Sequence, residues 1–435
     1  MSNLLTVLSS LIIFFGIINL CRMALFLIGS DIYSLRRHRR GNRQPVFYPS
    51  ISVVIPAYNE EKSIVSSVSS VLNSNYPQDK VQVIVANDGS TDATEQVVTD
   101  YVRANEITNV LIISQPNLGK AHALNNGIKN YATGELVMCL DADSYIAKDA
   151  LSRAVTYFED EKVKAVASNV KVARSKGVLN LIQVFEYIVC YQMKKAQTAF
   201  NIEYIIGGIG SMFRKSFLEK IDFYDGNTVT EDIDVTMKIL RHGNKQVRVI
   251  YASDVIAYTQ GALTVSDLIR QRHRWKWGRY QTFLKNKHMF FSSDKRHSKG
   301  FSWLYLPFAL YSDAAFFFEP LVIIFMFYLI IGYKDILTLL SAVSVISFYM
   351  IMSIVGEDTI KRGEKLKLIV LAPLMYFLFY VLSFVEYLAL IKSLWHLPHL
   401  HKSLEQNKAN WQPIQREGFS ALITQKGRYS VALDS

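Results

Sequence analysis

Asp141-Ala142-Asp143 places two carboxylates one residue apart, directly after the apolar run 136–140. Such a pair at a strand end can hold a divalent cation that bridges a diphosphate, neutralising charge that grows on a departing nucleoside diphosphate. Isolated Asp-x-Asp pairs are often merely solvated, so the strand-end position carries the reading. Glu231-Asp232, inside Val229-Thr230-Glu231-Asp232-Ile233-Asp234, can supply a general base. The same residues also suit a helix start, with Thr230 as cap and acids in the first turn. Asp88 lies in Asn87-Asp88-Gly89-Ser90-Thr91-Asp92 and can accept hydrogen bonds from a base or ribose, or serve a turn and cap. Lys120 follows Asn117-Leu118-Gly119 and can reach a phosphate at a helix N-terminus, or be a plain loop lysine. Its spacing is not that of a P-loop. Gln271-Arg272-His273-Arg274-Trp275 offers Arg274 for a diphosphate and Trp275 for stacking on a sugar ring, or a set of interfacial basic residues.

These residues need a scaffold, and the pattern between residues 51 and 159 provides one. Short β-branched runs at 51–55, 81–85, 110–113 and 136–140 alternate with helix-like segments at about 60–72, 92–104, 121–131 and 148–159. The alternation predicts an α/β fold with a mostly parallel sheet and right-handed crossovers. Ligands bind such sheets at the carboxyl ends of the strands. Tyr58, Glu60, Asp88 and Asp143 all fall there, and Pro56 is expected to stop the first strand. Residues 175–200 read as an amphipathic helix, followed by a flexible loop at 207–211. Residues 264–287 read as a basic, Trp-bearing helix suited to a membrane interface, with Thr264 and Asp267 at capping-box spacing.

The two ends are of another kind. Half of the 435 residues are hydrophobic, mean hydropathy is +0.15, and the apolar residues gather at the termini. Residues 4–29 are almost uninterrupted apolar sequence and precede Arg36, Arg37, Arg39, Arg40 and Arg43. Basic residues after the apolar core, rather than before it, indicate a transmembrane helix that ends in the cytoplasm, not a signal peptide. Apolar stretches at about 303–333, 336–355 and 368–395 are each long enough to span. Asp313, Glu319 and Pro320 in the first of them would avoid lipid. The net charge of +11 fits such flanks and a phosphate-bearing ligand better than nucleic acid, since no aromatic platform accompanies the basic runs. Three scattered cysteines suggest free thiols rather than a metal or disulfide framework. The expected division is a span at 1–34, a basic linker at 35–49, the catalytic domain at 50–262, an interfacial helix region at 263–300, membrane segments at 301–396 and a polar tail at 397–435 containing Trp411.

Taken in order, Pro56-Ala57-Tyr58-Asn59-Glu60, Asp88, Asn117-x-Gly119-Lys120-Ala121, Asp141-x-Asp143, Thr230-Glu231-Asp232 and Gln271-x-x-Arg274-Trp275 resemble glycosyltransferase family 2. Within it they are most similar to the membrane-embedded synthases of cellulose, chitin, hyaluronan and poly-N-acetylglucosamine. The resemblance implies a GT-A domain flanked by transmembrane and interfacial helices. It implies that Tyr58, Glu60 and Asp88 bind the uridine end, with Lys120 in support, and that Asp141, Asp143 and Arg274 act at the diphosphate. Asp143, with Asp141, would bind Mg2+ or Mn2+. Asp232 would be the base, with Glu231 supporting it, and Gln271 and Trp275 would close over the acceptor. Gln183, Glu186 and Tyr187 match an acceptor-side helix more loosely. The cellulose synthases' Phe-x-Cys-Gly loop is replaced here by 206–211.

The implied activity is inverting polymerisation of a UDP-sugar, with UDP-N-acetylglucosamine favoured, and extrusion of a β-linked polysaccharide. The implied setting is a multi-pass membrane protein with its catalytic domain on the cytoplasmic side, in contact with lipid and with room for accessory subunits. The alternative is a single addition to a lipid acceptor such as ceramide or diacylglycerol, since such enzymes share the Asp-x-Asp and Gln-x-x-Arg-Trp pattern. If the tail is cytoplasmic, one of the three C-terminal stretches, with 303–333 the first choice, must be interfacial or re-entrant.

Overall fold

The computed structural model describes residues 2–41, 45–173 and 175–405. Arg43 and the tail residue Trp411 lie outside the described residues. Among the described residues, eight strands form one sheet: β1 Ile51–Ala57, β2 Val81–Asn87, β3 Val110–Ser114, β4 Leu136–Cys139, β5 Ser144–Ile146, β6 Val163–Val172, β7 Ser211–Arg214 and β8 Arg248–Thr259. Their spatial order is β3-β2-β1-β4-β7-β6-β8-β5. The four β-branched runs are the four parallel neighbours β3-β2-β1-β4. Chain direction across the sheet reverses between β1 and β4, which opens a crevice at their carboxyl ends. Beyond β4 the sheet is mixed: β7 runs antiparallel to β4 and β6, β8 runs parallel to β6, and β5 runs antiparallel to β8.

β1 does not stop at Pro56, as its sequence predicts, but runs on to Ala57 with Pro56 opposite Ala86. The ladder to β4 has already ended at Val54 and Cys139, so Pro56 sits where β1 has a partner strand on one side only. That is where a sheet tolerates a residue without an N–H. Every residue of β1 is buried. Val54 faces one hydrophobic layer with Ile84 and Val137, and Val53 and Ile55 face the other with Val83 and Met138. Burial on both faces is why these strands read as continuous apolar runs.

The helices are α1 Ser2–Arg40, α2 Ile64–Leu72, α3 Thr94–Ala104, α4 Lys120–Asn126, α5 Ala150–Tyr157, α6 Val178–Phe200, α7 Lys215–Lys220, α8 Glu231–Arg241, α9 Val265–Lys285, α10 Leu306–Phe317, α11 Glu319–Gly332, α12 Ile336–Val355, α13 Arg362–His396 and α14 Leu400–Glu405. A π-helical turn, Gly127–Tyr131, continues α4. A Cβ on Gly127 would lie 2.8 Å from Val54 Cγ1, so glycine lets this segment press onto β1. Thr264 caps α9 as its spacing predicts: its Oγ1 accepts from Asp267 N at 3.1 Å and donates to Asp267 Oδ2 at 2.7 Å.

Among the described residues, three helices are long and apolar enough to cross a membrane, Ile13–Arg39, Ile336–Val355 and Arg362–Glu405. A fourth span arises if the pair Gly300–Phe317 and Glu319–Gly332, bent by 50°, counts as one. This is the stretch expected to depart from a simple span. The break falls at Phe318, two residues before Pro320, whose ring and missing N–H cannot continue a helix unbroken. The basic end of α1 does more than mark topology. Arg37 pairs with Asp254 at 2.6 Å, Arg36 donates to the Ala199 carbonyl at 3.1 Å, and Tyr33 donates to the Tyr251 carbonyl at 3.0 Å. These bonds fasten α1 to α6 and β8.

Three cations of α9, Arg272, Lys276 and Arg279, face acids of the apolar helices. Arg272 and Lys276 reach Glu386 on α13 at 3.3 and 2.9 Å, and Lys276 and Arg279 both pair with Asp313 on α10. Glu319 accepts from Ser383 at 2.9 Å. Acids in an apolar segment are costly unless paired, and pairing with Lys276 and Arg279 accounts for Asp313, whereas Glu319 keeps a buried oxygen, Oε2, with no hydrogen-bond partner.

Candidate active site

The loops after β1 and β2 are stitched to each other. Asn59 has a left-handed backbone (φ 56°), which asparagine tolerates, and its side-chain carbonyl accepts from Thr91 N at 2.8 Å. Asn59 N donates to Ser90 Oγ at 3.0 Å, and Glu60 N donates to Thr94 Oγ1 at 2.8 Å. Ser63 Oγ donates to the Glu60 carboxylate at 2.6 Å. Tyr58 and Glu60 are thereby held at the mouth of the crevice.

Asp88 is neither a simple turn residue nor a helix cap. Its carboxylate accepts from Gln115 Nε2 at 2.7 Å, Leu118 N at 3.0 Å and Gly119 N at 2.8 Å. A carboxylate offers roughly four acceptor positions, and three of Asp88's hold the loop that leads into α4. That loop delivers Lys120. Lys120 Nζ lies 2.7 Å from Asp141 Oδ1 and 2.8 Å from Glu231 Oε1. Burial pulls the Lys120 pKa down, but the charges of Asp141, Glu231 and Asp232 outweigh burial and raise it, so the ammonium is held charged. Asp143 is buried, and its Oδ1 accepts from Ser144 Oγ at 2.9 Å.

The acidic cluster opens α8. Thr230 occupies the cap position, but its side chain makes no capping hydrogen bond, so helix capping does not account for the motif. Asp232 Oδ1 accepts from Ile233 N at 2.9 Å and Oδ2 from Gly208 N at 3.1 Å. Burial, then the charge of Glu231, push the Asp232 carboxyl up to about 6, against the pull of Lys120. A carboxylate tuned toward neutrality is the form a general base takes. The turn is anchored from α9, where Gln281 Oε1 accepts from Val229 N at 3.0 Å and Lys285 pairs with the fully buried Asp234 at 3.0 Å.

Gly208 is a site residue that the sequence shows only as part of a flexible loop. A Cβ there would lie 3.0 Å from Lys120 Nζ, 3.7 Å from Glu231 Oε1 and 3.8 Å from Asp141 Oδ1. The available signal was a glycine-rich stretch shortly before an acidic cluster, which by itself says only that the chain turns.

One pocket gathers Tyr58, Glu60, Asp88, Asn117, Gly119, Lys120, Asp141, Asp143 and Arg274. Apart from Asn117 and Gly119, these are the residues expected at the donor and the metal, drawn from four loops and α9, whereas Glu231 and Asp232 do not line the pocket. Gln271, Trp275, Glu186 and Tyr187 do not line it. The Arg272 guanidinium lies 4.2 Å from the Trp275 ring centroid and pairs with Glu186 at 2.7 Å. Tyr187 packs against Tyr191 with ring centroids 6.0 Å apart, and Gln271 is buried. Gln183 clasps the segment before α9, accepting from Ala262 N at 2.8 Å and donating to its carbonyl at 2.9 Å.

Residues 52–222 match the family described as Glycosyl transferase family 2. The chain carries a family 2 glycosyltransferase domain. It is 31% identical over 271 residues to a poly-beta-1,6-N-acetyl-D-glucosamine synthase of Staphylococcus epidermidis, covering 60% of this chain and 63% of that one. It is 33% identical over 249 residues to the synthase of the same description from Staphylococcus aureus, covering 56% and 57%. The matched region thus spans about six tenths of those curated relatives' length. A mannosyltransferase from Pyrobaculum calidifontis, solved in complex with GDP-Man and Mn2+, aligns over 86% of this chain and 97% of its own at a TM-score of 0.53. At 21% identity that likeness establishes the shared GT-A-like fold.

Proposed function

We propose that the chain transfers sugar from a UDP-sugar to the growing end of a β-linked polysaccharide, inverting the anomeric centre. The carrying observation is the convergence of Tyr58, Glu60, Asp88, Lys120, Asp141, Asp143 and Arg274 in one crevice, with Glu231, the neighbour of Asp232, paired to the Lys120 ammonium. Tyr58, Glu60 and Asp88 bind the uridine end, and Arg274 meets the diphosphate. Among the described residues, no three His, Cys, Asp or Glu side chains form a ready-made metal cluster. Two hard carboxylates at a strand end suit an ion that takes its other ligands from phosphate oxygens and water. Asp143 and Asp141 would hold Mg2+ or Mn2+, which supplies positive charge against the leaving UDP. Asp232 takes the proton of the acceptor hydroxyl, which attacks C1 from the face opposite UDP. Glu231 holds Lys120, and Gln271, Trp275, Glu186 and Tyr187 serve the acceptor side.

The names of the curated relatives support UDP-N-acetylglucosamine as donor. The apolar helices, and the basic residues that follow the first of them, support a cell-membrane protein with a cytoplasmic catalytic domain that extrudes its product. Membranes containing the chain are expected to incorporate label from UDP-N-acetylglucosamine in the presence of Mg2+ or Mn2+. No incorporation from any common UDP-sugar would contradict the proposal.

A further inference from the structure

The candidate metal site already contains a cation of its own. Lys120 Nζ is shared between Asp141 Oδ1 at 2.7 Å and Glu231 Oε1 at 2.8 Å. It therefore bridges the strand-end pair and the acidic cluster, which lie on separate elements 90 residues apart. The backbone is bared for it at Gly208, where a Cβ would stand 3.0 Å from Nζ. The charge of Asp232 also acts on this ammonium, so it answers to three carboxylates.

We infer that Lys120 is the resident counter-ion of this site, holding Asp141 and Glu231 together in the donor-free chain and yielding Asp141 when a divalent cation arrives. The inference rests on the transferase reading above. Its physical basis is competition. A dication on Asp141 would stand within a few Å of the ammonium on the same carboxylate, and like charges that close repel strongly in a half-buried site. The lysine stem is flexible and its charge compact, so Nζ can leave Asp141 while keeping Glu231. Loading the donor would then undo the pin between the Asp-x-Asp turn and the turn that carries the candidate base. Lys120 thus acts as a positioning residue whose partner depends on whether the metal is present.

The test is Mn2+ binding to the full chain in detergent with no nucleotide present, read from the free Mn2+ electron paramagnetic resonance signal. Lys120→Met is expected to bind Mn2+ more tightly, by about three- to tenfold, the equivalent of one partly exposed ion pair. Lys120→Arg, which keeps the charge, is expected to match the unaltered chain. Lys120→Gln serves as a second neutral variant, and a cooperative thermal unfolding transition in the absence of Mn2+ confirms that each variant is folded. Equal or weaker Mn2+ binding by the folded neutral variants overturns the inference, while Mn2+ binding by the unaltered chain in the presence of UDP leaves the transferase reading standing. No Mn2+ binding by the unaltered chain even with UDP overturns both.

Discussion

Asp232→Asn is expected to make the chain more stable and nearly inactive at once. Burial and Glu231 push the Asp232 carboxyl from 3.8 to about 6. A rise of roughly 2 units corresponds to about 3 kcal/mol held against the charged form at neutral pH. Partial exposure of the side chain screens some of this, which leaves about 1–3 kcal/mol for a neutral replacement to recover. The amide retains an oxygen to accept from Gly208 N or Ile233 N, so the turn keeps part of its bonding. The raised pKa also sets a sign. Between about pH 4 and 6 the folded chain binds more protons at this site than the unfolded chain does. The stabilisation is therefore present below about pH 4 and is lost as pH rises through 6, and the variant should lack that decline. Turnover should fall by about 10²- to 10⁴-fold, as for loss of a general base, with UDP affinity unchanged. The assays are thermal unfolding across pH in detergent, UDP binding, and product formation. A variant less stable than the parent at pH 7, or one with unchanged turnover, would refute the reasoning.

Other perturbations address separate parts of the site. Asp143→Ala should abolish the Mn2+ dependence of UDP binding while leaving the fold intact, as read by calorimetry with and without the ion; unchanged Mn2+ dependence would remove Asp143 as a ligand. Gly208→Ala places a Cβ 3.0 Å from Lys120 Nζ and should lower kcat about tenfold or more with little change in melting temperature. Glu386→Gln leaves Arg272 and Lys276 without a shared partner and should destabilise the chain by about 1–3 kcal/mol in denaturation, whereas a neutral effect would show that Asp313 and Glu186 suffice.

Much of the crevice was legible because it is local. The β-branched runs at 51–55, 81–85, 110–113 and 136–140 each became a parallel strand, and the residues that follow them landed in one pocket by the geometry of the fold. The second half of the sheet was not legible. β6 and β8 carry mixed polar and apolar residues, and β5 and β7 are only three and four residues long, too short to show a period. Nor did spacing show what α9 does. Arg272, Lys276 and Arg279 recur along one helix and look interfacial until Glu386 and Asp313, more than 30 residues on, are seen to meet them. Gly208 was hidden for a similar reason: its role lies in the missing side chain, which matters only once Lys120 is known to stand against it.

The claim of polysaccharide synthesis is tested most directly by product size. The purified full chain, reconstituted in lipid vesicles and given labelled UDP-N-acetylglucosamine with Mg2+ or Mn2+, is predicted to yield a ladder of N-acetylglucosamine oligomers and polymer that disappears when the ion is chelated. A single glycolipid product, or no labelled product at all, would contradict it.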